Sequence, residues 1–325
     1  MKSVFKKVFS VFGVYRILKG VKFRAIRFWV KINTKKQFSH GGYVGRFTKN
    51  LVVVHDAGFF SCCSIRLQNI IEYYNYFGEF PVVIDGKAQF KFYKRKEHGD
   101  VDISPVYFKE ISEAVSVKGG VFQDVATSQF KPYGELMFDL ISPLVERYFS
   151  PSPSVLEVEE KLTRKYELNY ENLCCVCYRG NDKSKETNIP SYGEMLEKML
   201  EVRNQNPGIK FLIQTDEEEF YKYLDKKMPG FVRLTNGVTI NKDLNSGVHL
   251  EKNIDLFKES IGLLAIIRMI SRSRYIICTS SNVSLWILYY RGNAVGVSQY
   301  LSHKKEIYGI QNPAYTECGG RVWQE

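Results

Sequence analysis

A chain of 325 residues is long enough for two domains of ordinary size. With 44% hydrophobic and 25% charged residues, it has the composition of a globular protein, not a disordered or fibrous one. The net charge of +11 does not mark a nucleic-acid enzyme: residues 1–50 hold thirteen Lys/Arg and no acid, leaving 33 bases against 35 acids elsewhere, so the body carries no basic stripe.

Residues 1–40 read as a basic amphipathic arm. Val4, Val8, Val11, Phe12, Tyr15 and Leu18 recur at helical spacing, with Lys6, Lys7 and Lys19 between them. No run approaches the ~20 apolar residues of a membrane-spanning helix. The apolar stretches are also too short and too interrupted for a signal peptide. Residues 1–36 suit a helix lying on an anionic membrane face. A helix docked on the body, a basic tail and a Ser-poor transit peptide are the other readings. The seven Cys sit mostly in apolar runs and lack the paired Cys/His spacing of a zinc site. They read as buried, reduced thiols of a cytoplasmic protein, peripheral at a membrane.

The body alternates apolar runs with helical periodicity. LVVVHDAGFF (51–60) reads as a strand entering a glycine loop, and CSIRLQNIIEYYNYFG (63–78) as a helix stopped by Gly78. FPVVIDG (80–86) reads as a second strand, 88–118 as irregular, and GGVFQDV (119–125) as a further strand. A helix over 133–149 contains Pro143, which is expected to kink or split it. PSPS (151–154) is the linker signal. It divides an N-terminal domain, 41–152, from a C-terminal one, 153–325. The second domain reads as strands at 173–178, 209–215, 231–235, 274–280 and 293–298. Helices lie between them at 193–207, 216–228, 254–273 and 282–292. Such alternation predicts parallel sheets covered on both faces. The tail, 299–325, shows no clear periodicity.

Three strands of the second domain end in polar loops. The first offers Arg179, Asp182, Lys183 and Glu186; the second Thr215 and Asp216; the third Thr279, Ser280, Ser281 and Asn282. In a parallel sheet these loops share one edge, where ligands bind. Arg179 there can fork onto a phosphate, the helix start at Asn282 offers backbone N–H groups to an anion, and Asp216 can accept from ribose hydroxyls. Equally, Ser281–Asn282 and Thr215–Asp216 are good helix caps, and Arg179–Asp182 is a possible local ion pair.

The string VCYRGNDKSKE resembles the first signature of the α1,6-/α1,2-fucosyltransferases and protein O-fucosyltransferases, a strand ending in a His-x-Arg-Arg- or His-x-Arg-Gly-type motif. FLIQTDEEEFYKYL resembles their second signature and YIICTSSNVSLW their third, in matching order over about 110 residues. HDAGFFSCCSIRLQNIIEYYNYFG resembles the glycine loop and helix that open the family's catalytic domain.

The resemblance implies a GT-B fold, two Rossmann-like halves facing a cleft, with the acceptor side first and the nucleotide-sugar side second. It also implies an inverting transferase that needs no metal or other cofactor and moves L-fucose from GDP-fucose to a glycan hydroxyl. By position, Arg179 would bind the β-phosphate and Glu186 would be the general base. Asp216 would meet the nucleoside, and Ser280, Ser281 and Asn282 the diphosphate and fucose. Gly58, Cys177, Asp182, Lys183, Thr215 and Thr279 complete the donor set. The chain departs from the pattern at Cys177, where the family has His, and at Gly180, where many members have a second Arg. It departs again at Ile266, near which an acid holding guanine is expected; Asp255 and Glu259 stand a turn or more away. A transferase using another nucleotide sugar, an inactive glycan- or nucleotide-binding protein, and an unrelated α/β protein with a membrane- or nucleic-acid-binding arm are the alternatives.

Overall fold

In a computed structural model the described residues are 34–110, 124–180, 183–184, 187–234 and 254–302, with three short strands beyond. Residues 1–33 of the arm, most of the strand expected at 119–125, and the site candidates Asp182 and Glu186 lie outside them.

The first half opens with β1 (Thr34–Gln37), β2 (Gly42–Gly45) and β3 (Leu51–Val53), paired antiparallel. Helix α1 (Phe59–Phe77) follows, then β4 (Ile84–Asp85), parallel to β3. The sheet is therefore mixed and not parallel throughout. Its first strand occupies the end of the segment expected to be a helical arm. The links at 38–41 and 46–50 are too short for a crossover, so they force antiparallel pairing. The expected strand at 80–86 shrinks to two residues, because Pro81 has no N–H for a ladder and Val82 and Val83 face solvent.

A short helix, α2 (Ser104–Tyr107), precedes α3 (Phe138–Phe149). The break expected at Pro143 falls earlier. Tyr133–Glu135 forms a separate 3-10 turn, and Pro143 sits inside α3. Tyr133 is drawn away by the second half, where its N–H donates to Gln299 Oε1 at 2.8 Å. Helix α4 (Pro153–Lys165) starts at the linker, capped by Ser152, and packs on a later helix, residues 256–271.

The second half runs β5 (Leu173–Tyr178), α5 (Tyr192–Gln205), β6 (Lys210–Thr215), α6 (Glu218–Lys227), β7 (Val232–Arg233), α7 (Leu256–Ser271), β8 (Tyr275–Thr279), α8 (Asn282–Arg291) and β9 (Val297–Leu301). Beyond lie β10 (Glu306–Ile307), β11 (Ile310–Gln311) and β12 (Val322–Gln324), the last antiparallel to β9. The final parallel strand starts four residues later than expected. A turn at 294–296 intervenes, with Gly296 at φ 69° and its Cα so placed that a Cβ would lie 2.7 Å from Arg274 O.

The order β12-β9-β8-β5-β6-β7 contains five parallel strands arranged as a 3-2-1-4-5 sheet, the order of dinucleotide-binding folds. Period-2 alternation sorts β5 onto two faces. Cys174, Val176 and Tyr178 pack with Met195, Met199, Phe220 and Leu224 from α5 and α6. Cys175 and Cys177 pack in the cluster that holds α7 and α8. That second cluster also contains Leu51, Leu67 and Phe90, so the two halves share one core. All six described cysteines are free and buried.

Candidate active site

The polarity of the strands decides where a site can be. Beyond β5 the chain turns to β6 and β7 on one side, and later returns to β8 and β9 on the other. The gap between the ends of β5 and β8 is thus the topological switch point, the place where open parallel sheets form a crevice. In register, Tyr178 lies opposite Thr215 and Cys177 opposite Cys278. Arg179, Asp216 and Ser280 therefore leave the sheet side by side.

The Arg179 guanidinium meets Asp216 Oδ2 at 3.0 Å, with side chains 18% and 3% exposed. The Arg179 N–H donates to Thr279 Oγ1 at 3.0 Å, and the Gly180 N–H to Asp216 Oδ1 at 3.4 Å. Asp216 orients Arg179 and ties the β5 loop to the β6 loop. Arg179 is thereby fixed across the switch point, one loop away from the start of α8.

At that start the cap reading holds. Ser281 Oγ accepts from the Ser284 N–H at 3.1 Å, and Ser284 Oγ accepts from the Ser281 N–H at 3.0 Å. Ser280 Oγ donates to Tyr300 O at 3.0 Å and accepts from Gln299 Nε2 at 2.9 Å. Thr215 Oγ1 accepts from the Glu217 N–H at 3.1 Å. Thr215, Thr279, Ser280 and Ser281 are all buried, with their hydroxyls used within the protein. What these loops could offer a ligand is chiefly backbone and the positive end of α8. Cys177 is packed inside the core beneath the crevice, where burial pushes its thiol well above the ordinary value. No thiol surface is left there for a donor contact. Ile266 is likewise buried in α7, inside the shared core.

The first half reaches this edge at three places. Ser64 of α1 donates to Asn282 Oδ1 at 2.9 Å and accepts from Trp286 Nε1 at 2.9 Å. Lys183 Nζ donates to Gln129 Oε1 at 3.2 Å. Tyr133 contacts Ser284 Oγ at 2.7 Å and donates to Ser281 O at 3.2 Å. Gly58 caps α1 without a side chain. Beside it, His55 Nε2 lies 3.0 Å from Ser61 Oγ, and burial lowers its basicity.

Several residues here escaped the sequence reading. Glu217, at the acidic start of a helix, is buried and accepts from Tyr192 OH at 2.7 Å. A Cβ at Gly180 would fall inside the Glu217 carboxylate, so Gly180 is required by close approach. Gln299 joins Ser280, Tyr133 and Lys131, the last through a 3.1 Å bond from Nε2 to its carbonyl. A Gln beside Ser298 in β9, a strand of the second half's sheet, was the available signal for it.

No family model and no curated protein matches the sequence. Among solved structures the chain is similar to NodZ alpha-1,6-fucosyltransferase co-crystallised with GDP, at 11% identity and TM-score 0.46, covering 78% of this chain and 96% of that one. The same enzyme soaked with GDP-fucose matches at 12% identity and TM-score 0.32, over 52% of each chain. A variant of Arabidopsis thaliana FUT1 in complex with GDP matches at 7% identity and TM-score 0.33, over 57% of this chain and 39% of that one. The chain thus spans about half or less of two of these three matched chains. The matched solved structures are fucosyltransferases. Likeness at this level leaves the chemistry to be argued from the chain's own residues.

Proposed function

We propose that this chain is a glycosyltransferase, inverting and metal-independent, that moves L-fucose from GDP-fucose to a glycan hydroxyl. The observation that carries the reading is Arg179, held by Asp216 at the switch point beside the N-terminus of α8. A partly exposed guanidinium and a helix N-terminus converging there suit a diphosphate. In the reaction, the acceptor oxygen forms a bond to the anomeric carbon as the bond from that carbon to the β-phosphate oxygen breaks. Negative charge grows on the departing diphosphate, and preorganised positive groups at that oxygen lower the barrier. The acceptor proton goes to a carboxylate, for which Glu186 is the candidate by sequence position. Asp216 is a positioning residue for Arg179 in this scheme. Gly58 and the turn before α1 would form the facing wall in a GT-B arrangement, with the glycan on that side.

Ile266 favours a second donor. With a buried aliphatic residue near the position of the guanine-binding acid, the base pocket would differ from that of the family, and another nucleotide sugar becomes the competing substrate.

A panel of nucleotide sugars with excess chelator separates these readings by thermal shift and slow donor hydrolysis. Saturation at about a hundred times Kd stabilises by about 2.7 kcal/mol, which raises Tm by several degrees. A rise with GDP and GDP-fucose alone supports the first reading, and a rise with another nucleotide sugar supports the second. If no nucleotide binds, both fail. Arg179→Ala is expected to abolish hydrolysis while the far-UV spectrum is retained; undiminished turnover in that variant rejects the phosphate role.

A further inference from the structure

The pole of the first half remote from the crevice has a different character. There the tip between β2 and β3, the start of β1 and the end of α1 converge. Thr34 pairs with Gly45, and Leu51 with Val44. Tyr73 OH donates to Lys49 O at 3.1 Å, Lys49 Nζ bonds to Glu79 at 2.6 Å, and the Leu51 N–H donates to Val83 O at 3.0 Å. From Ser64, which meets α8, to Phe77 at this pole is about 20 Å along the helix.

Four large apolar side chains are exposed here: Phe47 at 85%, Val82 at 69%, Val83 at 51% and Tyr76 at 50%. Around them stand Lys35, Lys36, Arg46 and Lys49. The ammonium groups of Lys35 and Lys36 lie over the rings of Phe77 and Tyr76, each 5.0 Å from the ring centre, so cationic and aromatic groups are interleaved at this pole. An apolar tip ringed by basic residues matches the boundary of a bilayer, with aromatic groups at headgroup depth and cations on anionic phosphates.

We propose that this pole rests on an anionic lipid surface. The charge distribution names the occupant. Of the thirteen Lys/Arg among residues 1–50, the four described ones are those at this pole, and the other nine belong to residues 1–33. That acid-free segment joins the body at Thr34, beside Gly45 and Arg46. Covering the pole with it would set like charge against like. An anionic surface complements both, and each Lys or Arg brought near it tightens attachment roughly fivefold. The crevice, at the far end of α1, stays open to solvent in this orientation. This surface is independent of the sugar-transfer reading.

The full-length protein is mixed with vesicles of phosphatidylcholine alone, or of equal parts phosphatidylcholine and phosphatidylglycerol, and bound protein is measured by co-sedimentation. Binding is expected only with the anionic lipid and is expected to weaken with salt. Arg46→Glu/Phe47→Ser is expected to bind about tenfold more weakly or worse. Val82→Ser/Val83→Ser, which changes no charge, is expected to weaken binding as well. Lys226→Glu, at an exposed position of α6, is the control and is expected to bind as wild type. Hydrogen exchange of amides 46–50 is expected to slow on adding anionic vesicles. Wild-type affinity in both pole variants, equal loss in the control, or no binding by the wild type overturns the proposal. Amides 46–50 already protected without vesicles would mean that the chain's own N-terminal segment covers the pole, and the proposal falls.

Discussion

Gly180 shows how one missing side chain shapes the crevice. Many members of the family that the motif resembles carry a second Arg at this place; here the volume is filled by the Glu217 carboxylate, anchored by Tyr192. Burial and the neighbouring carboxylate both push the Tyr192 hydroxyl upward, so it stays a donor at neutral pH. Gly180→Ala is expected to cost ~1–3 kcal/mol, as overpacking does. In a Glu217→Ala background the same change is expected to cost less, because the clash is gone. Urea unfolding of the four proteins checks this; equal costs in both backgrounds would mean that the two residues do not compete for the same space. The cost is steric, since Gly180 is not among the glycines with positive φ.

At the level of elements, the strand order sets the crevice and a segment from the first half secures its rim. Residues 128–135 lie against the β8–α8 loop through Tyr133 and against β9 through Gln299. Burial pushes the Tyr133 hydroxyl well above its ordinary value, so it keeps its proton across the neutral range. Tyr133→Phe leaves the ring in place but removes one partner each from Ser281 O, which keeps the Leu285 N–H, and from Ser284 Oγ, which keeps Thr279 O and the Ser281 N–H, at a cost of ~0.5–1.5 kcal/mol. If the crevice binds a diphosphate, donor affinity is expected to fall with stability, because the start of α8 loses a support. Thermal unfolding and donor titration of the variant test the two effects separately. A variant as stable as wild type would show that the hydroxyl carries no such burden.

For the whole molecule, the shared core matters more than the linker. Trp286 of α8 stacks on Phe60 of α1 with ring centres 6.0 Å apart, and meets Phe149 of α3 at 4.7 Å. With apolar contacts of this kind crossing between the halves, neither buries its core alone. Calorimetry is expected to record one transition, with calorimetric and van't Hoff enthalpies equal. Trp286→Ala is expected to remove ~3–5 kcal/mol and lower that single Tm without splitting it. Two resolved transitions in either protein would mean that the halves unfold independently. The exposed Arg95–Asp255 pair also links the halves, but a surface pair of this kind contributes little.

Much of the second half was legible in the sequence. Its strands are short apolar runs buried on both faces, and its helices have caps and 3.6-residue periodicity, so β5, α5, β6, α6, α7, β8 and α8 fall within a few residues of expectation. Local chemistry sufficed there because parallel strands and their crossover helices announce themselves by composition. The first half was less legible. β1, β2 and the two-residue β4 carry weak patterns, and their pairing depends on which partner edge lies nearby. The sequence placed Arg179, Asp216, Ser280 and Ser281 at strand ends without helper. Only the tertiary structure decided that Asp216 serves Arg179, that the serine hydroxyls are turned inward, and that Cys177 is core. Those outcomes depend on strand order and register, which bring together backbone and side-chain groups 36 to 100 residues apart. A periodicity of two or 3.6 residues carries no information about contacts at that range.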